Sequence, residues 1–221
     1  MFKKVLVAED YDGMNLALKQ VLKDMDIQDI HGVGYCDEAL LKIKEAHQNE
    51  KPYDLLITDL SFERDHKVVK LGSGQELIAA ARHIQPSLNV LVFSVENKPH
   101  PIQHLFRELE IDGYVLKGRH NIPELKKAIA AVHSGNHYIS PELSQVLTDK
   151  SLDEIEDYDR KLLHLLAQGT SQADIAEAFQ KKNWSPNSVS SIEKRINRLK
   201  IMLKANNNVQ LIAIAKDLGL V

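Results

Sequence analysis

The sequence predicts an α/β protein in which a doubly wound, five-stranded parallel sheet is followed by a small all-α domain. Two patterns support this prediction. In the first 135 residues, short apolar runs alternate with segments of helical period, as in a parallel sheet covered by helices on both faces. Beyond residue 158, every periodic segment is helical. The chain has 221 residues, 43% of them hydrophobic, which excludes collagen-like and predominantly disordered proteins.

The order of the predicted elements defines two domains. The strands are residues 4–8, 27–33, 55–58, 90–93 and 114–116. The helices between them are residues 12–25, 37–49, 74–85, 100–109 and 122–134. Small and acidic residues collect after residue 134, so we expect a first domain at 1–135, a linker at 136–153 and a second domain at 154–221.

The second domain contains four predicted helices, at residues 159–168, 171–182, 186–202 and 207–217. Gly169 stands where a helix C-terminus would place it, and Ser171 with Asp174 has a spacing close to that of a capping box. Ser185 followed by Pro186 predicts the next helix start, with an N-cap and then proline at the first helical position.

Polar side chains follow immediately on four of the predicted strands: Glu9, Asp10, Asp59, Ser94 and Lys117. In an open parallel sheet these positions converge at the carboxyl edge, where ligands of such folds bind. Three adjacent carboxylates repel one another and favour a bound cation, and oxygen ligands suit Mg²⁺. The lysine and the hydroxyl suit a phosphoryl group, and a carboxylate there is a plausible nucleophile. Any one of these acids alone could instead be a solvated loop residue or a helix cap.

Four motifs carry a family resemblance over residues 1–135: VLVAED, YDLLITDL, LVFS and DGYVLK. Together they resemble the flavodoxin-like receiver domain of bacterial two-component response regulators. The resemblance implies that Asp59 accepts a phosphoryl group from a histidine kinase and that Lys117 contacts this group. It also implies a switch pair, Ser94 and Tyr114, although Tyr114 could be a plain edge-strand aromatic. The implied Mg²⁺ ligands are Glu9, Asp10, Asp59 and the carbonyl of Ser61.

The chain departs from the receiver pattern after Asp59. The family usually has proline four positions later, where this chain has Glu63. The loop at 60–73 is also about seven residues longer than the pattern and is rich in charge: Glu63, Arg64, Asp65, His66, Lys67 and Lys70. Long loops beside a site are often functional, but a tolerated surface insertion explains the length equally simply.

A basic segment dominates the charge of the second domain, although the whole chain has a formal net charge of −3. Residues 181–204 contain seven lysines and arginines and one acid, Glu193. The helix at 186–202 has an apolar stripe of Val189, Ile192, Ile196, Leu199 and Leu203. The predicted base and phosphate contacts lie on or beside the opposite face: Asn187, Ser190, Ser191, Lys194, Arg195 and Arg198. Such a face on an amphipathic helix can also be merely solvated.

The run LLAQGTSQADIA and the Ser-x-x-Ser-Val opening of the following helix resemble the LuxR-type helix-turn-helix output domain of the NarL/FixJ subfamily. That resemblance implies binding of double-stranded DNA and dimerisation through the last helix. Val209, Ile212 and Ala213 are candidates for the dimer contact, although core packing explains them equally well.

We therefore expect a DNA-binding response regulator that works as a homodimer when active and is not an enzyme in the usual sense. Two alternatives remain open: an Mg²⁺-dependent phosphohydrolase, and a DNA-binding regulator that does not depend on phosphorylation. The single cysteine, Cys36, excludes an internal disulfide framework and suits a small apolar role. Acidic residues come too early for a secretory signal, and no apolar run is long enough for a membrane helix, so we expect a cytoplasmic protein.

Overall fold

A computed structural model describes residues 1–63, 66, 68–118, 121–144, 146, 152 and 154–221. The chain forms two compact units. The first comprises Met1–Asn97 and Ile102–Ser144, and the second comprises Lys98–Pro101 and Gln145–Val221. No helix among the described residues has the length and apolar character needed to span a bilayer.

Strands and helices alternate along the described part of the first unit, as the sequence predicts. The strands are β1 (Lys4–Ala8), β2 (Asp29–Val33), β3 (Leu55–Thr58), β4 (Asn89–Ser94), β5 (Gly113–Leu116) and β6 (Tyr138–Ile139). The helices are α1 (Asp12–Asp24), α2 (Cys36–Gln48), α3 (Gly74–Ile84), α4 (Pro99–Glu108) and α5 (Asn121–His133). The first three residues of α4 belong to the second unit. A short 3-10 helix follows at Pro141–Leu143.

The strands form one parallel sheet in the order β2-β1-β3-β4-β5-β6. The order in which strands are added to the sheet reverses at β1, because β2 lies on one side of β1 and β3 lies on the other. Ligands of doubly wound sheets bind in the crevice that such a reversal opens at the carboxyl ends of the strands.

The described residues form a sheet of six strands, so the prediction of five is wrong by one. The additional strand, β6, has two residues and pairs with β5 in parallel. It lies inside the segment expected to be a linker, and two residues are too few to produce an apolar period in the sequence. Residues 145, 147–151 and 153 of that expected linker lie outside the described residues.

Both faces of the sheet are covered. Alternate strand residues such as Val7, Ile57 and Phe93 pack in one apolar cluster with side chains of α1 and α5. The residues between them, including Leu6 and Leu56, are also fully buried. The right-handed crossover rule puts α2 and α3, which pack against each other, on that second face. Cys36, the first residue of α2, is buried, in agreement with its predicted apolar role.

The second unit is helical, as predicted, and its helices share one core. They are α6 (Asp157–Ala167), α7 (Gln172–Lys181), α8 (Val189–Met202) and α9 (Asn208–Asp217). Ser171 caps α7 by accepting a hydrogen bond from the backbone N–H of Asp174, and Gly169 after α6 adopts a positive φ of +79°. Both features confirm the helix boundaries predicted there.

Helix α8 begins later than predicted. Its N-cap is Ser188, whose hydroxyl accepts from the backbone N–H of Ser191. Ser185 and Pro186 therefore precede the helix, and Asn187 is not one of its residues. Val189 is the first helical residue and is 48% exposed, so it does not belong to the apolar stripe. Ile192, Ile196, Leu199 and Leu203 are buried and form the stripe as predicted.

Candidate functional site

The strand-end carboxylates predicted to converge do lie side by side. Ala8 pairs with Thr58 at the ends of β1 and β3. The next residues, Glu9 and Asp59, are therefore neighbours at the point where the strand order of the sheet reverses. Both are buried acidic residues. Ala8 and Thr58, which precede these two acids, have no exposed surface. The buried ends of β1 and β3 therefore fix the backbones of Glu9 and Asp59.

Lys117 joins these two carboxylates. Its Nζ lies 2.5 Å from Asp59 Oδ2 and 2.8 Å from Glu9 Oε2. Lys117 follows β5, which is separated from β3 by β4, so the long lysine side chain reaches across the sheet edge. An ammonium group between two buried carboxylates makes charge-assisted hydrogen bonds that water screens only weakly. The predicted meeting of Glu9, Asp59 and Lys117 is present.

The pKa values of the site follow from burial and charge. Burial raises the pKa of the Glu9 carboxyl, and the hydrogen bond from Lys117 opposes this rise without cancelling it. Burial alone would lower the pKa of Lys117, but its hydrogen bonds to Asp59 and Glu9 outweigh burial and raise it. Lys117 is therefore held as the cation, and Glu9 binds a proton more readily than an exposed glutamate does.

Asp59 is fixed from its other side by the backbone that follows it. Its Oδ1 accepts from the N–H groups of Leu60 at 2.5 Å and Ser61 at 3.3 Å. Gly74, the first residue of α3, lies so close to Asp59 that an added Cβ would overlap the Asp59 carbonyl oxygen. Glycine is therefore needed at position 74 by this close approach. The arrangement leaves Asp59 Oδ2 directed towards Lys117.

Asp10 has a different partner from the other two acids. Its Oδ2 accepts a hydrogen bond of 2.6 Å from the backbone N–H of Glu63 in the long loop. Among the described residues, no three acidic, histidine or cysteine side chains converge closely enough to hold a metal ion. The donor set nevertheless suits Mg²⁺, because Glu9, Asp10 and Asp59 supply only oxygen ligands and Lys117 neutralises at most one of the three charges.

The loop predicted to be long is attached to the site at several described positions. Ser61 and Ser73 form an isolated antiparallel bridge at its base. Asp37, in the first turn of α2, accepts from the N–H groups of Lys70 at 2.7 Å and Leu71 at 3.3 Å. The predicted loop charges Arg64, Asp65 and Lys67 lie outside the described residues.

The predicted switch residues lie on neighbouring strands: Ser94 ends β4, and Tyr114 on β5 is opposite Val92. Ser94 is completely buried, and its hydroxyl has no partner at strict hydrogen-bond distance and angle, although it lies near enough to the Tyr114 phenol to oppose the rise of that pKa. The ring of Tyr114 is buried too, and its hydroxyl donates to the carbonyl of Glu96 at 2.6 Å. Burial raises the pKa of the Tyr114 phenol, which keeps it a neutral donor. A buried hydroxyl without a partner has an unused capacity to bond an incoming polar group.

Asn15 is a residue of the site that sequence patterns did not single out. Its side-chain N–H groups donate to the carbonyls of Glu9 at 3.1 Å and Val33 at 3.3 Å, which ties the ends of β1 and β2 together. Asn15 lies in the buried part of α1. A polar residue at a core-facing position of an otherwise apolar stripe was the available signal.

The basic helix of the second unit presents most of its predicted face to solvent. Ser190, Lys194, Asn197 and Arg198 are exposed, and Ser191 is half-buried beside the cap. The helix-turn-helix prediction for α7 and α8 agrees with the two capped helices and the short turn between them. On α9, Val209 is 81% exposed and Ala213 is exposed, whereas Ile212 is half-buried.

Arg195 is paired with a buried acid, whereas Arg198 of the predicted DNA-contact set makes an exposed pair with Glu154 at 3.5 Å. Its Nε and Nη2 donate to the carboxylate of Asp159, the latter at 2.6 Å. Asp159 has no exposed surface and also accepts from the backbone N–H of Glu156 in a capping box at the start of α6. The guanidinium of Arg195 is therefore engaged inside the second unit, and Asn187 lies before the first residue of α8. Their DNA contacts stay predictions.

Comparisons with known proteins place the chain among regulators. It is 31% identical over 156 residues to the response regulator GacA of Pseudomonas protegens, which covers 70% of this chain and 66% of GacA. It is 29% identical over 199 residues to the transcriptional regulatory protein RcsB of Escherichia coli K12, which covers 86% of this chain and 84% of RcsB. No protein-family model matches the chain.

Solved structures show the same fold. A Salmonella typhimurium RcsB structure matches with a TM-score of 0.70 and 23% identity, over 97% of this chain and 99% of RcsB. An RcsB–DNA complex matches with a TM-score of 0.65 and 24% identity, over 97% and 98% of the two chains. The isolated RcsB receiver domain with a phosphomimetic matches 66% of this chain, at 26% identity and a TM-score of 0.54. The chain belongs to the two-component response regulators that join a receiver domain to a LuxR-type helix-turn-helix domain.

Proposed function

We propose that this chain takes a phosphoryl group from a histidine kinase onto Asp59 and, in response, binds double-stranded DNA as a homodimer to regulate transcription. The observation that carries this proposal is the contact of Lys117 with both Asp59 and Glu9, beside a fully buried Ser94 hydroxyl that has no well-formed hydrogen bond. That set contains an acceptor, a fixed cation and an unused donor at one sheet edge.

The roles follow from the chemistry of each group. A carboxylate oxygen of Asp59 attacks the phosphorus of the donor, a P–O bond to Asp59 forms and the P–N bond to the kinase histidine breaks. Lys117, held as the cation, offsets charge on the transferred phosphoryl oxygens. Backbone N–H groups of Leu60 and Ser61 orient the Asp59 carboxylate before the transfer.

Magnesium fits this site by its donor chemistry. Glu9, Asp10, Asp59 and the carbonyl of Ser61 would hold it, and when bound it neutralises charge on the reacting oxygens. With one ammonium among three carboxylates, the site keeps an excess of negative charge that a divalent cation would balance.

Signalling from the site is proposed to pass through Ser94 and Tyr114. A phosphoryl group on Asp59 adds acceptor oxygens at the end of β3, next to β4. The hydroxyl of Ser94 can donate to one of these phosphoryl oxygens. The movement of Ser94 then changes the volume that is open to the Tyr114 ring. Tyr114 is bonded to the carbonyl of Glu96, so its alternative positions would alter the surface after β4.

DNA binding is assigned to the exposed basic face of α8. Lys194 and Arg198 supply charge for phosphates, while Ser190, Ser191 and Asn197 lie on the same face as donors and acceptors. The solved RcsB complexes contain DNA, and one contains two RcsB dimers on two DNAs, which supports DNA binding and dimerisation here. The exposed side chains of Val209 and Ala213 with half-buried Ile212 are the proposed dimer contact.

Titration of DNA with wild type and Asp59→Asn, each with and without a small phosphodonor and Mg²⁺, tests the proposal. We expect tighter DNA binding only for phosphodonor-treated wild type. Equal affinities in all four samples would favour a regulator that does not depend on phosphorylation. Repeated turnover of the phosphodonor without a stable adduct would favour a phosphohydrolase.

A further inference from the structure

The long loop after Asp59 contacts the site through a backbone donor. The N–H of Glu63 lies 2.6 Å from Asp10 Oδ2. Glu63 stands where the receiver pattern leads one to expect proline, and proline has no N–H to donate. The departure from the pattern therefore creates the hydrogen bond that occupies Asp10.

The far limb of the same loop, residues 70–73, is held by hydrogen bonds to two helices. Asp37 accepts from two consecutive backbone N–H groups, those of Lys70 and Leu71. The N–H of Gly72 donates to Glu76 Oε2 at 2.6 Å, and Ser73 caps α3. The limb is thus tied to the first turns of both α2 and α3, which pack against each other.

The base of the loop is closed as well. Ser61 and Ser73 pair as an isolated bridge, and the N–H of Gly74 donates to the carbonyl of Leu60 at 3.0 Å. Ser61 is paired with Ser73, which closely follows the residues that Asp37 holds, so the backbone from Ser61 to Glu63 has restricted positions. The N–H of Glu63 therefore meets Asp10 at a lower entropic cost than a free loop would require.

We propose that Asp37 is a positioning residue that, through this loop, keeps the N–H of Glu63 on Asp10 and so competes with Mg²⁺ for that carboxylate. The inference rests on the proposed function, in which Mg²⁺ supports phosphorylation of Asp59. Glu9 and Asp59 already share Lys117, and the three acids do not converge on one ion position among the described residues. Bringing Asp10 to the other two acids turns its carboxylate and breaks the bond to Glu63.

Calorimetric titration of the full chain with MgCl₂ alone tests this competition. Glu63→Pro should bind Mg²⁺ about tenfold more tightly than Glu63→Ala, a difference of about 1.4 kcal/mol. Both variants lose the same side-chain charge, but only alanine keeps the backbone N–H. In the same way, Asp37→Ala should bind more tightly than Asp37→Asn, which loses the same charge but retains one acceptor oxygen.

Tightening in the Glu63 pair supports competition for Asp10, and tightening in the Asp37 pair supports the positioning role of Asp37. Equal affinities in the Asp37 pair reject that role, and equal affinities within both pairs, or no binding by any of these proteins, overturn the inference. Mass spectrometry of the same variants after phosphodonor treatment reports separately on the proposed function. A phosphoryl adduct on Asp59 together with equal Mg²⁺ affinities would reject the loop inference alone, and no adduct in wild type would reject the phosphorylation itself.

Discussion

Arg195 holds Asp159 with two guanidinium N–H groups, and Asp159 has no exposed surface. The pair joins α8, the proposed DNA-reading helix, to the capped start of α6. The guanidinium also lies 5.9 Å from the ring centre of Tyr158, whose hydroxyl donates to the carbonyl of Pro186 before α8. Arg195 therefore positions the helix within the second unit.

Loss of this guanidinium should destabilise the second unit strongly. Arg195→Met leaves the buried Asp159 carboxylate without its cation, so we expect the free energy of unfolding to fall by about 3–5 kcal/mol. Urea denaturation followed by the fluorescence of Trp184, which packs with the core of this unit, measures the change. Lys194→Met on the exposed face of the same helix is the control and should change stability by less than about 0.5 kcal/mol. Similar small effects of both substitutions would reject the positioning role.

Neutralising the exposed basic face should weaken DNA binding without unfolding the unit. In Lys194→Gln and Arg198→Gln, each lost phosphate contact should lower the slope of log affinity against log salt by about one unit. Affinity measured from low to moderate salt gives this slope. Lys44→Gln, an exposed substitution on α2, is the matched control. Slopes that stay at the wild-type value in the first two variants would remove α8 from the proposed interface.

Ser94→Ala separates the switch from the stability of the fold. The Ser94 hydroxyl is buried without a well-formed hydrogen bond, so its removal should change the melting temperature little. Ser140 is also fully buried, but its hydroxyl accepts from the N–H of Leu116 and donates to Glu124. Ser140→Ala should therefore cost about 1–3 kcal/mol.

The same Ser94→Ala protein should still become phosphorylated, yet phosphorylation should no longer raise its DNA affinity. Mass spectrometry and DNA titration on one sample measure both properties. A phosphorylation-dependent rise equal to that of wild type would show that the signal does not pass through Ser94.

The ion pairs of Lys117 should give stability a specific pH dependence. Its pKa is raised above the ordinary value of 10.5, so the folded state holds this proton more tightly than the unfolded state does. The stabilisation is therefore complete below pH 10.5 and is lost as the pH rises through the folded pKa. The difference in melting temperature between wild type and Lys117→Met should be constant near neutral pH and shrink above that value.

Lys126→Met is the control for this measurement, because Lys126 forms an exposed pair with Asp24 at 3.6 Å. Exposed pairs contribute little, so its melting temperature should stay near that of wild type at every pH. A Lys117→Met difference that does not shrink in alkali would contradict the assigned pairing.

The parts of the site that could be predicted are those with a regular signal in the chain. Apolar runs fix the strands, and the parallel sheet then brings Glu9, Asp59 and Lys117 together although they are far apart in sequence. Strand β6 escaped prediction because two residues have no detectable period. The start of α8 was misplaced because Ser185 and Ser188 are both good caps, and only the bond from Ser191 distinguishes them.

Other parts of the site depend on tertiary contacts that leave no local pattern. Asp159 and Arg195 are 36 positions apart, and either one alone resembles an ordinary surface charge. The donor to Asp10 is a backbone N–H of Glu63, which every residue except proline possesses. Its role depends on the path of the loop rather than on the side chain.

Phosphorylation of Asp59 is tested most directly by mass spectrometry of the intact chain and its peptides after treatment with a small phosphodonor and Mg²⁺. We expect one phosphoryl group per chain, located on the peptide that contains Asp59, and none in Asp59→Asn. A phosphoryl group on another residue, or equal labelling of wild type and Asp59→Asn, would contradict it.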